Sequence, residues 1–287
     1  MNFSRAFKYP FQNFAKVMSI VLALTIAFAV FIAIILNSYD WPPLFESLYG
    51  LETPAAVDHM SEPFSGSTVL GVFGLLVVAL VSGFWISGYS VEVIRSVMRD
   101  DEWMPPIDFG RNVKDGAYLF LSSVAYWMLF IALIFIVAIV HGVIGGIVTL
   151  ALAIITVGMT CVMGWAYFVG MARFAAEGDH RAALQIWRNM RVARNNWGKG
   201  LTLLLYMIAF SIIYGAVRSI VDGIFGGLMS LNLLAGITLS IIIYYIFNLM
   251  QHFSTQVLIA QYATEIGIRS DHYDPEKDKV KLDFTQE

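Results

Sequence analysis

The stretch VMSIVLALTIAFAVFIAIIL, residues 17–36, contains twenty residues and no charge. An α-helix rises about 1.5 Å per residue, so a helix of this length crosses the ~30 Å hydrocarbon core of a bilayer. The apolar part of a cleavable signal peptide is shorter, about 7–15 residues, and ends at a small-residue cleavage site. Here Asn37 and Tyr39 follow instead. Residues 17–36 are therefore predicted to form an uncleaved first membrane span.

Five further runs have the same character. Of the whole chain, 58% of the residues are hydrophobic and 14% are charged, whereas a soluble domain has about 25% charged residues. Backbone polar groups cannot remain unpaired in hydrocarbon, so each run is predicted to be a helix. The six predicted spans cover about residues 17–36, 68–88, 117–140, 144–170, 201–220 and 233–260.

The predicted fold is an all-α integral membrane protein with six transmembrane helices in three tandem hairpins, joined by amphipathic cytoplasmic connectors. Residues 1–269 are predicted to form one membrane domain, and residues 270–287 a charged cytoplasmic tail. The proline-containing segment 37–67 is expected to form a small external cap or an irregular loop. A tight turn is predicted around His141 and Gly142. The Gly-rich residues 222–227 are predicted to form a turn or a short interfacial dip.

The basic residues indicate the orientation of the chain. Of 18 Lys and Arg residues, 17 lie in four segments beside or between the apolar runs, whereas residues 37–67 contain five acids and no base. Lys and Arg accumulate on the cytoplasmic side of membrane proteins. The sequence thus predicts a multi-pass protein of the cell membrane with both termini in the cytoplasm. The basic segments are residues 1–16, 89–116, 171–200 and 261–287.

A short pattern recurs before the first, third and fifth predicted spans. In each case an Asn is followed by a Lys and then by the apolar run. The pairs are Asn13 with Lys16, Asn112 with Lys114, and Asn195 with Lys199. This recurrence predicts three tandem units of the same orientation, each an amphipathic inner segment followed by a helical hairpin.

The inner segments are predicted to lie at the membrane surface. In residues 180–194, apolar side chains fall on one helical face and arginines lie opposite, as in an interfacial helix. Residues 89–99 show a similar pattern. Arginines that alternate with apolar residues beside membrane spans favour lipid headgroups over nucleic acid as the partner. The predicted headgroup contacts are Arg181, Trp187, Arg188, Arg191 and Arg194.

Polar residues follow one another at helical spacing on the sixth predicted span. Polar groups in a span face protein, water or a ligand. The stripe is either a binding site or proton path, with His252 as the titrating group, or a set of interhelical hydrogen bonds that fix the packing. The stripe consists of Asn248, Gln251, His252, Thr255 and Gln256.

Arg218 and Asp222 are four residues apart near the outer end of the fifth predicted span, so they can form an ion pair. Such a pair serves either as a gate or anion contact, or as a structural pair with Arg218 reaching the membrane surface.

Signs of catalysis are absent from the sequence. No GxSxG, HExxH, P-loop or dinucleotide-binding glycine motif occurs, and the five histidines are scattered. Cys161 is the single cysteine and excludes an internal disulfide. We therefore expect no catalytic residue, no metal site and no cofactor.

Four motifs lie beside or between the predicted spans: FSRAFKYPF at 3–11, SGYSVEVIRSVMR at 87–99, PPIDF at 105–109 and KDG at 114–116. They resemble an uncharacterised prokaryotic family of membrane proteins, the domain of unknown function numbered four-zero-one-three. The resemblance covers most of residues 1–200 and implies a multi-pass bacterial or archaeal membrane protein, without a known activity or catalytic residue. This chain departs from the family at 100–102 (DDE) and 107–108 (ID), where relatives usually have a Gly-acid step and a Trp-Asp pair.

Together these patterns favour a non-enzymatic scaffold or accessory subunit of a membrane complex, which interacts with membrane lipids and with other membrane-protein subunits. The alternative is a small-solute transporter or channel that uses the polar stripe on the sixth span.

Overall fold

The structure is a computed structural model. It describes residues 1–38, 66–144, 146–229 and 233–268. Within these ranges the side chains of 36–38, 141–144, 146–149, 225–229 and 233–241 are not described. Within these ranges all regular structure is α-helical, which confirms the predicted all-α class. The helices are α1 (Phe3–Gln12), α2 (Phe14–Ser38), α3 (Gly66–Met98), α4 (Phe109–Ile144), α5 (Gly146–Glu177), α6 (Arg181–Leu184), α7 (Ile186–Asn195), α8 (Trp197–Met229) and α9 (Leu233–Glu265).

Five of these helices contain segments that are long and apolar enough to cross a membrane. The chain is therefore a multi-pass membrane protein. Helix α9, with 33 residues, coincides with the sixth predicted span, but its passage through the membrane and the arrangement in three hairpins remain predictions. The five segments are Phe14–Ile35, Gly66–Met98, Phe109–Val140, Leu150–Glu177 and Trp197–Ile224.

The chain forms two compact units. The smaller unit, Met18–Gly83, contains most of α2 and the first part of α3. These two helices approach closely at Gly74, where a side-chain carbon would lie 2.1 Å from the ring of Phe31. Glycine is therefore needed at this position for the helices to pack. The larger unit contains Met1–Val17 and Phe84–Glu287.

The core of the larger unit surrounds the second half of α9. Phe253, Val257 and Leu258 of this helix are completely buried. Helices α1, α5 and α8 all contact α9. The aromatic rings of Phe3 in α1 and Phe210 in α8 add to this core, with centroids 4.5 Å apart. The best-packed part of the unit therefore lies near the helix ends that carry the basic residues.

The apolar middle of α4 is much less buried. Phe135 and Ile139 expose 63% and 64% of their surface, respectively. Contiguous apolar surface on this scale marks an interaction with a membrane or another protein. In a membrane protein such side chains face the hydrocarbon of the bilayer, so lipid takes the place of a protein core along this part of the helix.

Two predicted turns are wrong. Residues 222–227 are not a turn, because α8 continues through them to Met229. His141 and Gly142 belong to the last turn of α4, which continues to Ile144. The predicted cap at 37–67 lies almost entirely outside the described residues, and the predicted tail 270–287 lies wholly outside them.

The inner segment 89–99 is not a surface helix. It continues α3 as far as Met98, and both of its faces are covered: Tyr89 and Arg95 are each 1% exposed and Glu92 is 8% exposed. Helix α3 ends at Met98, after which Asp100 adopts a positive φ of 62° and the backbone N–H of Asp101 donates to the carbonyl of Ser96 at 3.1 Å. Helix α4 starts after Asp108, whose carboxylate accepts a hydrogen bond from the backbone N–H of Arg111 at 3.1 Å.

Two of the three segments of the predicted repeat have the same local structure, although the Asn between the helices in the last segment is Asn196 and not the predicted Asn195, which ends α7. Asn13 separates α1 from α2, and Asn196 separates α7 from α8, with φ and ψ of −104° and 24° at Asn13 and −116° and 28° at Asn196. Each side-chain amide donates to the carbonyl four residues earlier, at 2.9 Å and 3.0 Å. Asn112 differs, since it lies within α4. Its amide atoms are buried and have no hydrogen-bond partner among the described residues.

Candidate functional site at the basic helix ends

A buried ionic cluster joins α3, α4 and α5. The guanidinium of Arg95 is 2.5 Å from the carboxylate of Glu92 and donates to the backbone carbonyl of Ala175 at 2.8 Å. Arg111 of α4 contacts the same Glu92 carboxylate at 3.0 Å. Because Arg95 is only 1% exposed, these bonds offset the cost of removing its charge from water. Arg95 therefore holds three helices together and is not available to a lipid.

The cluster depends on a close crossing of α3 and α4. A side-chain carbon at Gly88 would lie 1.7 Å from the carbonyl oxygen of Asn112, and one at Gly116 would lie 1.7 Å from the carbonyl oxygen of Phe84. The two contacts are reciprocal. Gly88 of α3 faces the carbonyl of Asn112, one helical turn before Gly116, and Gly116 of α4 faces the carbonyl of Phe84, one helical turn before Gly88. Small residues of this kind allow helix backbones in membranes to approach closely.

A second buried arginine fixes α7 to α5. Arg173 donates to the side chains of Glu177 at 2.9 Å, Asn189 at 2.9 Å and Gln185 at 3.1 Å. Asn189 is completely buried and also donates to the hydroxyl of Tyr126 at 3.1 Å and to a backbone carbonyl of α6 at 3.0 Å. This cluster determines which face of α7 is turned outward.

Residues 180–194 form two helices rather than one, with a break at Gln185. The face packed against the protein contains Ala182, Ala183, Asn189 and Ala193, whereas the larger apolar side chains of the segment are not buried. Trp187 is 74% exposed and Leu184 is 43% exposed. The predicted headgroup contacts all lie on the exposed surface: Arg181, Trp187, Arg188, Arg191 and Arg194.

The loop after α3 is held by Asn13, which lies between α1 and α2, and by side chains of α2 and α3. Asn13 accepts a hydrogen bond from the backbone N–H of Met104 at 2.8 Å. The ammonium of Lys16 and the hydroxyl of Tyr89 both donate to the carbonyl of Pro105, at 2.8 Å and 2.9 Å. Near this loop, burial raises the pKa of the Tyr9 phenol above its ordinary value, against the opposing effect of the Ser96 hydroxyl. Tyr9 therefore stays neutral at physiological pH.

The polar stripe of α9 contacts two other helices. Nε2 of His252 lies 2.6 Å from the hydroxyl oxygen of Ser90 in α3 and 3.4 Å from the amide nitrogen of Gln256. Gln251 donates to the hydroxyl of Ser211 in α8 at 2.9 Å. The bonds of His252 to Ser90 and of Gln251 to Ser211 are interhelical contacts of the kind that fixes helix packing.

The remaining stripe residues bond within α9. The Asn248 amide donates to the backbone carbonyl of Tyr244 at 2.9 Å, and the Thr255 hydroxyl donates to that of Gln251 at 3.0 Å. Beside the stripe, the hydroxyls of Ser254 and Tyr214 of α8 are 3.0 Å apart. The structure therefore does not bring all five residues together at one point.

Arg218 and Asp222 form an ion pair on α8, with 3.2 Å between Nε and the carboxylate oxygen. Both side chains are more than a third exposed, so the pair adds little to stability. The guanidinium carbon of Arg218 also lies 4.1 Å from the ring centroid of Tyr244 in α9. This cation–π contact joins α8 to α9, which the sequence pattern did not predict.

Sequence reasoning placed Arg95 and Arg173 among the surface bases and missed that both are buried. The signal was present, because each stands in a run of small or apolar residues: VEVIRSVM for Arg95 and MARFAA for Arg173. Within the described part of the chain, no three His, Cys, Asp or Glu residues are placed to hold a metal ion.

The five long apolar helices define the class, an α-helical multi-pass membrane protein. Within that class, residues 71–222 match the model of a family described as Protein of unknown function (DUF4013), and the chain belongs to this family. The match includes the motifs between 87 and 116, starts later than the resemblance seen in the sequence and extends past residue 200. No curated protein and no solved structure matches the chain.

Proposed function

We propose that this protein is a non-enzymatic membrane scaffold or accessory subunit that binds anionic lipid headgroups through the exposed surface of α6 and α7. The observation that carries this proposal is the exposed side of α7. Trp187 lies there with Arg188, Arg191 and Arg194, all fully outside the packed core. Tryptophan at headgroup depth together with arginines is the composition of an interfacial helix.

The position of α7 supports the same function. Its opposite side is held by Asn189, which accepts a hydrogen bond from the guanidinium of Arg173 and donates one to the hydroxyl of Tyr126. The exposed arginines are therefore presented on a fixed support, which lowers the entropy cost of binding. Each arginine near an anionic leaflet contributes about 1 kcal/mol. Since anionic lipid is concentrated in the cytoplasmic leaflet, the proposal includes a cytoplasmic position for α7 and for both termini in the cell membrane.

The test is a double substitution, Arg188→Gln with Arg191→Gln. In nanodiscs that contain phosphatidylglycerol and phosphatidylcholine with the same acyl chains, native mass spectrometry measures which lipid stays bound. The loss of two arginines at about 1 kcal/mol each corresponds to a decrease of about 30-fold in the preference for phosphatidylglycerol.

The matched control is Lys8→Gln with Lys114→Gln, which removes two exposed positive charges outside α7. This control is expected to keep the wild-type preference. An equal loss in both double variants would show that only net charge matters and would contradict a specific role for α7. The same spectra of gently extracted protein also reveal a stoichiometric second chain, which would identify the partner of an accessory subunit.

A second candidate function is a small-solute transporter or channel. It is favoured by His252, a titratable side chain in contact with both Ser90 and Gln256. Proton movement into liposomes, followed with an enclosed pH-sensitive dye, separates the two functions. A scaffold gives the rate of empty liposomes. Faster movement that is abolished by His252→Ala and by Asn248→Ala, in variants that remain folded, would establish the transporter and overturn the scaffold.

A further inference from the structure

A long apolar groove lies between α4 and α5. Its first part has a volume of about 390 Å³ and is lined by Tyr126 and Trp127 of α4 and by Gly164 and Tyr167 of α5. An adjoining part of about 680 Å³ continues along the same helices past Ile134 and Cys161. Phe130 and Thr160 line both parts. Each volume is in the range of ligand-binding pockets, about 300–1,000 Å³.

The groove matches one lipid chain in length. Its lining on α4 runs from Ser123 to Ala138, which corresponds to about 22 Å along the helix. Half of the hydrocarbon core of a bilayer is about 15 Å. The groove is therefore long enough to receive an acyl chain from one leaflet over the whole depth of that leaflet.

One end of the groove lies beside the basic surface of α6 and α7. The Tyr126 hydroxyl, at the end of the groove, is 3.1 Å from the buried amide nitrogen of Asn189 in α7. The preceding residue in the chain, Arg188, is exposed. His180, just before α6, stacks on Tyr118 of α4 with ring centroids 4.2 Å apart. The whole segment 171–200 has six bases and two acids, so its charge complements an anionic headgroup.

We propose that the groove between α4 and α5 holds one acyl chain of an anionic phospholipid whose headgroup lies against α6 and α7. The inference rests on the proposed headgroup contact of α7 and extends it from a surface preference to a defined lipid site. The apolar lining selects the chain, and the exposed arginines select the headgroup.

Gly164 provides a direct way to block the groove. A side-chain carbon at this position meets no atom within 4 Å, so the first carbon of Gly164→Leu enters open space, and the substitution adds bulk to the lining of the groove. Gly158 on the same helix is also exposed with no atom within 4 Å, but it does not line either part of the groove. Gly158→Leu is therefore the matched control, with the same gain in helix propensity.

The experiment measures lipid retained by the full chain after purification in detergent with added phosphatidylglycerol or phosphatidylcholine of identical chains. Wild-type protein and Gly158→Leu are expected to retain one phosphatidylglycerol by native mass spectrometry, and Gly164→Leu at least tenfold less. Wild-type retention in Gly164→Leu, or no retained lipid in wild-type protein, would overturn the proposal. A stoichiometric protein chain in place of the lipid would overturn it as well.

The two proposals fail in different ways. Suppose that Arg188→Gln with Arg191→Gln removes the preference for phosphatidylglycerol while Gly164→Leu retains lipid normally. The proposed headgroup contact of α7 is then supported, and the proposed lipid site in the groove is wrong. If wild-type protein retains phosphatidylglycerol and phosphatidylcholine equally, the proposed binding of anionic headgroups is wrong. The groove lipid is then not specifically anionic, whatever the result for Gly164→Leu.

A readout on wild-type protein avoids any effect of substitution on folding. Cys161 is the single cysteine of the chain; it is exposed and lines the second part of the groove. Added phosphatidylglycerol is expected to slow its alkylation by N-ethylmaleimide severalfold, because the bound chain covers the thiol. An unchanged rate would contradict an occupied groove.

Discussion

Arg173 and Arg188 belong to the same basic segment, yet their environments are opposite. Arg173 is 4% exposed and donates to three side chains, whereas Arg188 is exposed and donates to Gln185 at 3.3 Å. The same contrast separates Arg95, buried between helices, from the half-exposed Arg99 on the following turn. Arginine thus has two environments here, one within helix packing and one on the exposed surface.

The comparison shows that membership of a basic segment does not decide whether an arginine is buried between helices or exposed. A buried arginine is tolerated only when carboxylates or carbonyls compensate its charge, and removing one partner leaves the other uncompensated. An exposed arginine keeps its water or lipid contacts and adds little to folding. Substitutions at the two kinds of arginine should therefore affect different properties.

The largest effect is expected for Arg95→Met. The substitution removes the bonds to Glu92 and Ala175 and should lower the free energy of unfolding by about 3 kcal/mol, the lower end of the range for broken buried pairs. Glu92 keeps its contact with Arg111, which is why the lower end applies. The measurement is reversible unfolding in mixed micelles, followed by circular dichroism.

Arg99→Met is the control for this substitution. Arg99 is 33% exposed, and its ion pair with Asp101 has a separation of 3.7 Å, so a loss below about 1 kcal/mol is expected. Equal losses at positions 95 and 99 would remove the distinction between the two kinds of arginine.

An intermediate effect on stability is expected for Asn189→Ala. Asn189 bonds to the buried Arg173 but belongs to α7, which carries the exposed arginines, so this substitution tests the link between the two groups. The change removes the bonds to Arg173, Tyr126 and the α6 backbone, at a cost of about 2 kcal/mol. Hydrogen exchange should become faster throughout α7. Asn195→Ala, at an exposed position of the same helix, should change stability by less than about 0.5 kcal/mol.

The smallest effect on stability is expected for Arg188→Gln with Arg191→Gln, the variant proposed to lose its lipid preference. Both side chains are exposed, so the free energy of unfolding in neutral detergent should change by less than about 0.5 kcal/mol. A decrease of about 2 kcal/mol or more in the free energy of unfolding would show that these arginines contribute to helix packing. It would count against the proposed headgroup contact.

Much of the fold could be predicted from the sequence. Residues 17–36 and four later apolar runs coincide with helices long enough to cross a membrane, because length and hydropathy alone decide whether a segment can span a bilayer. Helix ends were harder to predict. Residues 222–227 contain three glycines but continue α8, since a glycine weakens a helix by only about 1 kcal/mol and does not end it.

The candidate site was less predictable. The stripe on α9 was visible as spacing, but the partners of His252 and Gln251, Ser90 and Ser211, lie far away in the sequence on α3 and α8. The groove had no sequence signal, because Tyr126 and Gly164 become neighbours only when α4 packs on α5. A cavity is a property of the space between helices and not of any one helix.

By itself the sequence determined the class of the protein and the segments in which its charge accumulates, since both follow from local composition. The uncharged residues 17–36 must be helical in hydrocarbon, and residues 171–200 remain basic in any fold. Only the tertiary structure decided that Arg95 and Arg173 are buried while Arg188 and Arg191 are exposed. The reason is that burial of a charge requires compensating groups, and Ala175 and Asn189 reach these arginines only after separate helices have packed.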